Sequence, residues 1–280
     1  MILEHDDFNL EQMLGARVPI RLLRVMLERV YLSFSPTVLA ATLKTSRASV
    51  LRVLRQWKRY SLVLSKERQH YRLNTEHALI RRLWGLFMLE RRMRLQPPLK
   101  NAVEVFFTAI EPEIELFILF GSAARGLATP QSDIDVCVVG GDVQQRRFDF
   151  LPYRFEIHRY ERQDLENLMD LVILDALLNG IVFKGEDIVY NIVKNLQSFP
   201  KAYLLYRLNK AKQFRQRAEV LTGEAQLYYA SLAEMAVREV ESVLHRGTTI
   251  SRQEVQGDGH YDISRLEAAL AIQGDRIWLI

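Results

Sequence analysis

The chain has 280 residues, 49 % of them hydrophobic and 26 % charged, and a net charge of +4. These values are ordinary for a globular protein, and the length predicts two or three domains. No apolar run reaches the roughly 18 residues that span a bilayer. The first residues are acidic and do not resemble a secretory leader. Because Cys137 is the single cysteine, an internal disulfide is excluded. We therefore expect a cytoplasmic protein with no membrane partner.

The charge is unevenly distributed along the chain. Residues 17–95 carry 18 Lys and Arg against 4 Asp and Glu, whereas residues 1–16 contain four acidic residues and no Lys or Arg. From residue 96 onward, 26 acidic residues exceed 20 basic ones. Segregation of this size indicates an anionic partner for the N-terminal part, most simply nucleic acid. The alternative is a well-solvated basic helical surface.

The N-terminal part has the hydrophobic spacing of short helices. The pattern predicts helices over residues 19–32, 36–43 and 47–60, followed by two short strand-like runs at 62–64 and 70–73. This succession resembles a winged helix-turn-helix domain, which implies that the third helix enters the major groove and the hairpin forms the wing. The alternative is a protein-interaction module with a basic surface. The residues that the resemblance implies for DNA contact are Ser46, Arg47, Ser49, Arg52, Arg55, Lys66 and Arg68.

A further helix is predicted to connect this region to the rest of the chain. It begins after Asn74 or Thr75 and runs to about Leu95, and it carries a wide apolar stripe. The stripe allows either docking on the next domain or a homodimer seam. Pro97 and Pro98 then mark a domain boundary.

Two apolar runs at the centre of the chain flank a polar turn and a pair of carboxylates. The first run ends at Gly121-Ser122, and the second begins at Asp133-Ile134-Asp135. Because strand side chains alternate between faces, Asp133 and Asp135 are predicted to share one face. Paired carboxylates suit Mg²⁺, and the amides of a turn after glycine can hold phosphate oxygens. The stretch therefore predicts a metal and phosphate site.

The same stretch resembles the DNA polymerase β-like nucleotidyltransferase superfamily, and its minimal nucleotidyltransferase branch most of all. The resemblance covers about residues 100–185 and implies transfer of NMP from an NTP, such as ATP, to a hydroxyl of a protein, an RNA or a small molecule, with two Mg²⁺ ions. It implies that Asp133 and Asp135 bind metal, and that Arg125 supports the triphosphate or pins the turn against an acidic neighbour. The motif residues that carry the resemblance are Gly121, Ser122, Arg125, Gly126, Ser132, Asp133 and Asp135, of which Gly121, Ser122, Arg125, Gly126 and Ser132 are implied in nucleotide binding.

A third carboxylate is expected from a neighbouring strand. Glu156, on the polar face of a strand predicted over residues 153–160, is the candidate catalytic and metal-binding residue, and Asp149 is the alternative. His158 shares the face of Glu156 and is interpreted as a partly buried polar residue more readily than as a substrate contact. Cys137 alternates with Asp135 and is expected to approach the site without acting as a nucleophile.

The remaining pattern completes an α+β multidomain fold. A helix over residues 162–178 and an edge strand at 181–183 finish a small mixed sheet with helices on one side, and helices over 200–221, 224–245 and 264–272 indicate a bundle. An alternative function for the whole is a winged-helix transcriptional regulator with a nucleotide-sensing, catalytically weak transferase-like domain. The predicted divisions are an acidic segment 1–16, a winged helix 17–75, a connecting helix 76–96, a nucleotidyltransferase domain 97–198 and a helical bundle 199–280.

Overall fold

The computed structural model describes residues 17–66, 70–129, 132–141, 151–168, 170–196, 198–246 and 262–278. Helices dominate these residues, and a four-stranded mixed sheet lies at their centre. Among the helices of the described ranges, none is both long enough and apolar enough to cross a membrane. The predicted acidic segment 1–16 and the alternative ligand Asp149 lie outside the described residues.

The N-terminal part consists of three helices and a hairpin. Ser35 and Ser46 cap the second and third helices, because their hydroxyls accept hydrogen bonds from the amides of Val38 and Ser49. The hairpin strands pair antiparallel, and an isolated bridge joins Phe34 to the second strand at Tyr71. The bounds are α1 Arg17–Glu28, α2 Pro36–Leu43, α3 Arg47–Arg59, β1 Val63–Lys66 and β2 His70–Leu73.

The connecting helix, α4 (Ala78–Met93), packs within the chain on both sides. On the N-terminal side, buried Glu90 accepts hydrogen bonds from Arg24 at 2.9 and 3.1 Å. On the other side, the rings of Trp84 and Tyr190 lie 5.5 Å apart, and the Tyr190 hydroxyl donates to the Thr75 carbonyl at 2.9 Å. A buried charge needs its partner, so the Arg24–Glu90 pair fixes how α4 sits on α1. The apolar stripe of α4 is thus covered by this docking.

The central sheet consists of β3 (Leu116–Leu119), β4 (Ile134–Val139), β5 (Phe155–Tyr160) and β6 (Ile181–Lys184), in the order β5-β4-β3-β6. Strand β3 pairs antiparallel with both β4 and β6, whereas β4 and β5 run parallel. The alternation along β3 places Leu116 and Ile118 in one apolar core and Phe117 and Leu119 in another. The elements of this region are α5 Pro97–Ile110, β3 Leu116–Leu119, α6 Gly121–Ala124, β4 Ile134–Val139, β5 Phe155–Tyr160, α7 Arg162–Asn167, α8 Leu171–Asn179, β6 Ile181–Lys184 and α9 Glu186–Lys194.

Two expectations about this region are wrong. The sheet is covered on both faces, because the α5 residues Phe106 and Phe107 pack on one face while α8 residues such as Leu174 pack in the core on the other. The helix predicted over residues 162–178 is two helices, since Leu168 adopts a left-handed backbone with φ 53°. Asp170 then caps the second helix by accepting from the Ile173 amide. Unbroken apolar spacing concealed this interruption.

The C-terminal part is a helical hairpin with an added helix. Helices α10 and α11 are joined by a short connection that contains Gly223, so they pack side by side. Lys212 of α10 donates to Glu267 of α12 at 2.7 Å, and Phe199 pairs with Ile277 in a small antiparallel ladder. These contacts tie the described chain end back to the start of the bundle. The bounds are β7 Ser198–Pro200, α10 Lys201–Val220, α11 Glu224–Arg246, α12 Ile263–Ala271 and β8 Arg276–Trp278.

Candidate functional site

The parallel pairing of β4 and β5 brings two acidic side chains together. Asp135 of β4 is in direct register with Glu156 of β5, and the next residue on the same face of β5 is His158. One potential ligand atom from each of these three residues lies within 4.8 Å of the other two. The imidazole Nε2 of His158 lies 3.8 Å from Asp135 Oδ1 and 3.6 Å from Glu156 Oε1. This arrangement could hold a divalent cation.

Gly121 lies directly against the Asp135 carboxylate. A Cβ atom at Gly121 would be 2.2 Å from Asp135 Oδ2, which is far inside van der Waals contact, and the backbone there has φ +66°. The Phe120 amide also donates to the Asp135 carbonyl at 3.0 Å, which fixes the end of β3 beside β4. Because glycine alone fits both the backbone and the space, the turn and the carboxylate form one unit.

Asp133 and Ser132 lie just before β4. Asp133 is exposed and stands outside the group formed by Asp135, Glu156 and His158. The Ser132 hydroxyl accepts a hydrogen bond from the Thr129 amide at 2.9 Å, so this hydroxyl has a partner within the chain. Strand alternation does not fix the direction of a side chain that precedes the strand, so the predicted pairing of Asp133 with Asp135 stays a prediction.

The short helix α6 carries the rest of the motif. The Ser122 carbonyl accepts from the Leu127 amide at 2.9 Å, which holds the turn closed, while Gly126 has φ +73°. Arg125 forms an ion pair with Asp175 of α8. Of the two roles expected for Arg125, this contact provides the second, that of pinning the turn against an acidic neighbour.

Cys137 lies on the same face of β4 as Asp135, two residues further along the strand, and is buried in an apolar core. Burial raises the pKa of its thiol to about 12, with a smaller contribution from Asp170. A thiol in such surroundings is protonated and inert at neutral pH. Cys137 therefore contributes to packing. His158, which was interpreted from the sequence as a partly buried polar residue, lies within 4 Å of both carboxylates.

Arg91 contacts the motif turn, although no pattern in the sequence singles it out. Its guanidinium donates to the carbonyls of Asn179 at 2.6 Å and Gly180 at 2.7 Å, and to that of Ala124 at 3.5 Å. Burial lowers the pKa of Arg91, Glu28 raises it, and Arg125 lowers it. Arg91 thus links α4 to the end of α8 and to the motif turn. Only a cationic position near the end of α4 was visible in the sequence.

The candidate DNA-binding residues lie mainly on α3. Arg47, Arg52 and Arg55 are exposed. Ser46 and Ser49 are engaged in the cap, since their hydroxyls are 2.9 Å apart. Lys66 ends β1, and Arg68 lies outside the described residues. The structure therefore places three of the predicted arginines at exposed positions of one helix, and their contact with DNA stays a prediction.

Comparison with known families agrees with the central motif. Residues 103–201 match the family model of the nucleotidyltransferase domain. No curated protein matches the chain. The match spans the sheet and its helices, and it supports placing this part of the chain in the nucleotidyltransferase superfamily and assigning it, in general terms, to nucleotidyl transfer.

Proposed function

We propose that this protein is a Mg²⁺-dependent nucleotidyltransferase that moves NMP from an NTP to an acceptor hydroxyl on a protein, an RNA or a small molecule. The observation that carries the proposal is the Asp135–Glu156 register beside Gly121. Two acidic groups on adjacent parallel strands, next to a glycine turn, provide metal ligands and a phosphate cradle at one place. The family match over residues 103–201 supports the same chemistry.

The donor set fits hard divalent cations. Asp135 and Glu156 offer carboxylate oxygens at one place. Asp133, the exposed residue just before β4, is proposed with Asp135 as a primary metal ligand, and Glu156 as the third carboxylate. When bound, two Mg²⁺ ions would neutralise charge on the triphosphate and lower the pKa of the attacking hydroxyl. His158 lies within reach of both carboxylates, so its imidazole nitrogen is a further candidate ligand beside them.

The chain's own residues have separate roles in the transfer. The acceptor oxygen forms a bond to the α-phosphorus, the bond from that phosphorus to the bridging oxygen of the β-phosphate breaks, and pyrophosphate leaves. Glu156, on the outer strand, accepts or orients the hydroxyl proton. The amides of Gly121 and Ser122 and the Ser122 hydroxyl hold the β- and γ-phosphates, and Gly126 and Ser132 are part of the same proposed nucleotide-binding stretch. Arg125 and Asp175 hold the turn in place.

A labelling panel tests this activity. The protein is incubated with each of four α-labelled NTPs, Mg²⁺ and cell extract, beside Asp133→Asn and Asp135→Asn variants. We expect label transfer by the wild type and a loss of at least about a thousandfold in Asp135→Asn. The reason is that a metal ion held by this carboxylate would stabilise the charge of the transition state and lower the barrier by several kcal/mol. Equal labelling by wild type and both variants would contradict the proposal.

The N-terminal part is proposed to be a DNA-binding winged helix-turn-helix module. Three helices followed by an antiparallel hairpin, with exposed Arg47, Arg52 and Arg55 on α3, support this proposal. The excess of basic over acidic residues in residues 17–95 adds the electrostatic attraction that DNA binding requires. A homodimer through α4 has less support, because the apolar face of this helix is covered within the chain.

Replacing Arg52 with glutamine is expected to weaken DNA binding and to reduce its salt dependence. One lost phosphate contact lowers the slope of log K against log salt by about one. Arg217→Gln, which removes an exposed arginine from the C-terminal bundle, is the matched control and should leave the slope unchanged. Equal slopes for wild type and Arg52→Gln would remove this residue from the DNA interface.

A transcriptional regulator that senses nucleotide is the second candidate. It is favoured by the continuity of the apolar core from the N-terminal helices through α4 to the central sheet, which provides a physical link between the two regions. Footprinting with and without NTP separates the two functions. Nucleotide-dependent footprints together with an absence of label transfer would favour the regulator, whereas transfer lost in Asp135→Asn would favour the enzyme.

A further inference from the structure

A cavity of about 340 Å³ lies on the other side of the motif turn from the carboxylate group. It is bounded by the end of α4, the start of α5, the C-terminal half of the turn and β6. Strand β6 is at the opposite edge of the sheet from β5, which carries Glu156. Of the described residues that line the cavity, none belongs to the group of Asp135, Glu156 and His158. The cavity is therefore a separate site that shares only the turn with the carboxylate group.

The polar lining of this cavity is cationic. Arg91, Arg94 and Arg125 all line it together with the amide of Gln96, and no carboxylate is among its described lining residues. Arg91 donates hydrogen bonds to backbone carbonyls, and Glu28, the carboxylate whose charge acts on Arg91, is not among the described lining residues. Arg94 is exposed at the rim, and Arg125 is held by Asp175 on the side of α8. The site thus attracts an anion.

The start of α5 adds to this attraction. Gln96 is the N-cap residue of α5. Its side-chain amide makes no capping hydrogen bond to the helix. The positive end of the α5 dipole also lies at the rim. On the apolar side, Leu95, Leu99 and Ile181 line the cavity. A volume of about 340 Å³ is at the small end of the range for small-molecule sites.

We propose that this arginine-lined cavity binds a phosphate-bearing small molecule and that its occupancy stabilises the motif turn. Phosphate accepts charge-assisted hydrogen bonds from guanidinium groups, which are the groups that this cavity presents. Ala123, Ala124, Arg125 and Gly126 of the turn form part of its wall. A ligand held between Arg94 and the turn therefore adds contacts to the segment that begins at Gly121, beside Asp135.

The test of the arginine-lined cavity is binding of inorganic pyrophosphate, measured by calorimetry. EDTA is present to remove divalent cations, so that metal-dependent binding at the carboxylates does not contribute. Saturable binding by the wild type should weaken at least tenfold in Arg94→Gln, and also in Gln96→Glu, which adds a negative charge at the rim. Arg82→Gln removes an exposed arginine from the same helix away from the cavity, and Asp135→Asn alters only the carboxylate group. Both should bind as the wild type does.

Hydrogen exchange supplies the second readout. Pyrophosphate should slow exchange in peptides covering residues 121–129 of the wild type, and this protection should be absent in Arg94→Gln. Three outcomes would overturn the proposal. They are an absence of saturable pyrophosphate binding by the folded wild type, pyrophosphate binding by Arg94→Gln and Gln96→Glu that equals that of the wild type, and loss of pyrophosphate binding in Asp135→Asn. A ten-nucleotide single strand without terminal phosphates that binds more tightly than pyrophosphate through Arg94 would identify nucleic-acid phosphates as the ligand instead. Because Asp135→Asn should abolish transfer and keep pyrophosphate binding, the failure of one proposal is distinguishable from the failure of the other.

Discussion

Replacing Gly121 with alanine should reduce nucleotidyl transfer at least about a hundredfold, which corresponds to about 3 kcal/mol of lost transition-state stabilisation. The new Cβ would lie 2.2 Å from Asp135 Oδ2. The contact is with the far end of a side chain, so the carboxylate turns away more readily than the backbone shifts. Asp135 would then leave the position where it faces Glu156. Label transfer and the affinity for Mn²⁺ should fall together.

Gly223→Ala is the matched control for this change. Gly223 has φ +68°, close to the +66° of Gly121, and no described atom lies within 4 Å of a Cβ placed there. Both alanine variants should lose about 1 kcal/mol of unfolding free energy in urea, because both impose a left-handed backbone on alanine. Only Gly121→Ala should lose activity. Similar activities of the two variants would show that the close approach of Gly121 to Asp135 has no catalytic importance.

The second large effect is expected at Glu156. Glutamine keeps the shape of this side chain and removes its charge, so Glu156→Gln should reduce the rate of transfer about a hundredfold, within the range for loss of a general base. Nucleotide affinity should change less than about threefold, since Asp135 and the motif turn remain. Single-turnover labelling and equilibrium nucleotide binding measure the two quantities separately.

Glu166→Gln provides the comparison for Glu156→Gln. The side chains of Glu166 and Glu156 are similarly exposed, at 51 % and 57 %, and Glu166 pairs with Arg162 on the surface of α7. Surface pairs of this kind contribute little, so this variant should retain full activity. If nucleotide affinity falls as steeply as the rate in Glu156→Gln, Glu156 acts in nucleotide binding and not in activating the acceptor hydroxyl.

Local patterns predicted those parts of the site that depend on strand alternation. The two-residue alternation of strand side chains correctly placed Asp135 and Cys137 on one face of β4. It also placed Glu156 and His158 on one face of β5. Glycine before a polar turn indicated that the backbone could come close to a ligand, and the structure adds that Gly121 lies directly against Asp135. These features need only a few neighbouring residues, because backbone geometry alone decides which way the side chains point.

Contacts between distant segments could not be predicted in the same way. Arg125 forms an ion pair with Asp175, and Arg91 donates a hydrogen bond at the end of α8. No spacing in the sequence links these positions. The register of β4 with β5 decides whether Glu156 faces Asp135 at all, and it depends on a connection whose residues 142–150 lie outside the described part. The break at Leu168 was hidden because apolar residues continue through it. Tertiary packing decided each of these points.

Helix α4 gives the fold its continuity between the basic N-terminal part and the sheet. It carries Glu90 to Arg24 on one side, and Arg91 to the Asn179, Gly180 and Ala124 carbonyls on the other. Adjacent residues of one helix therefore contact the N-terminal core and the motif turn. The N-terminal core and the motif turn are thus joined through contacts of a single helix.

The most direct test of the central claim uses one nucleotide carrying its label at either the α- or the γ-phosphate. With Mg²⁺ and an acceptor, the wild type should transfer the α-label to the acceptor and release the γ-label in pyrophosphate, and Asp135→Asn should do neither. Transfer of the γ-label to the acceptor, or release of γ-labelled orthophosphate without transfer of the α-label, would contradict nucleotidyl transfer at this site.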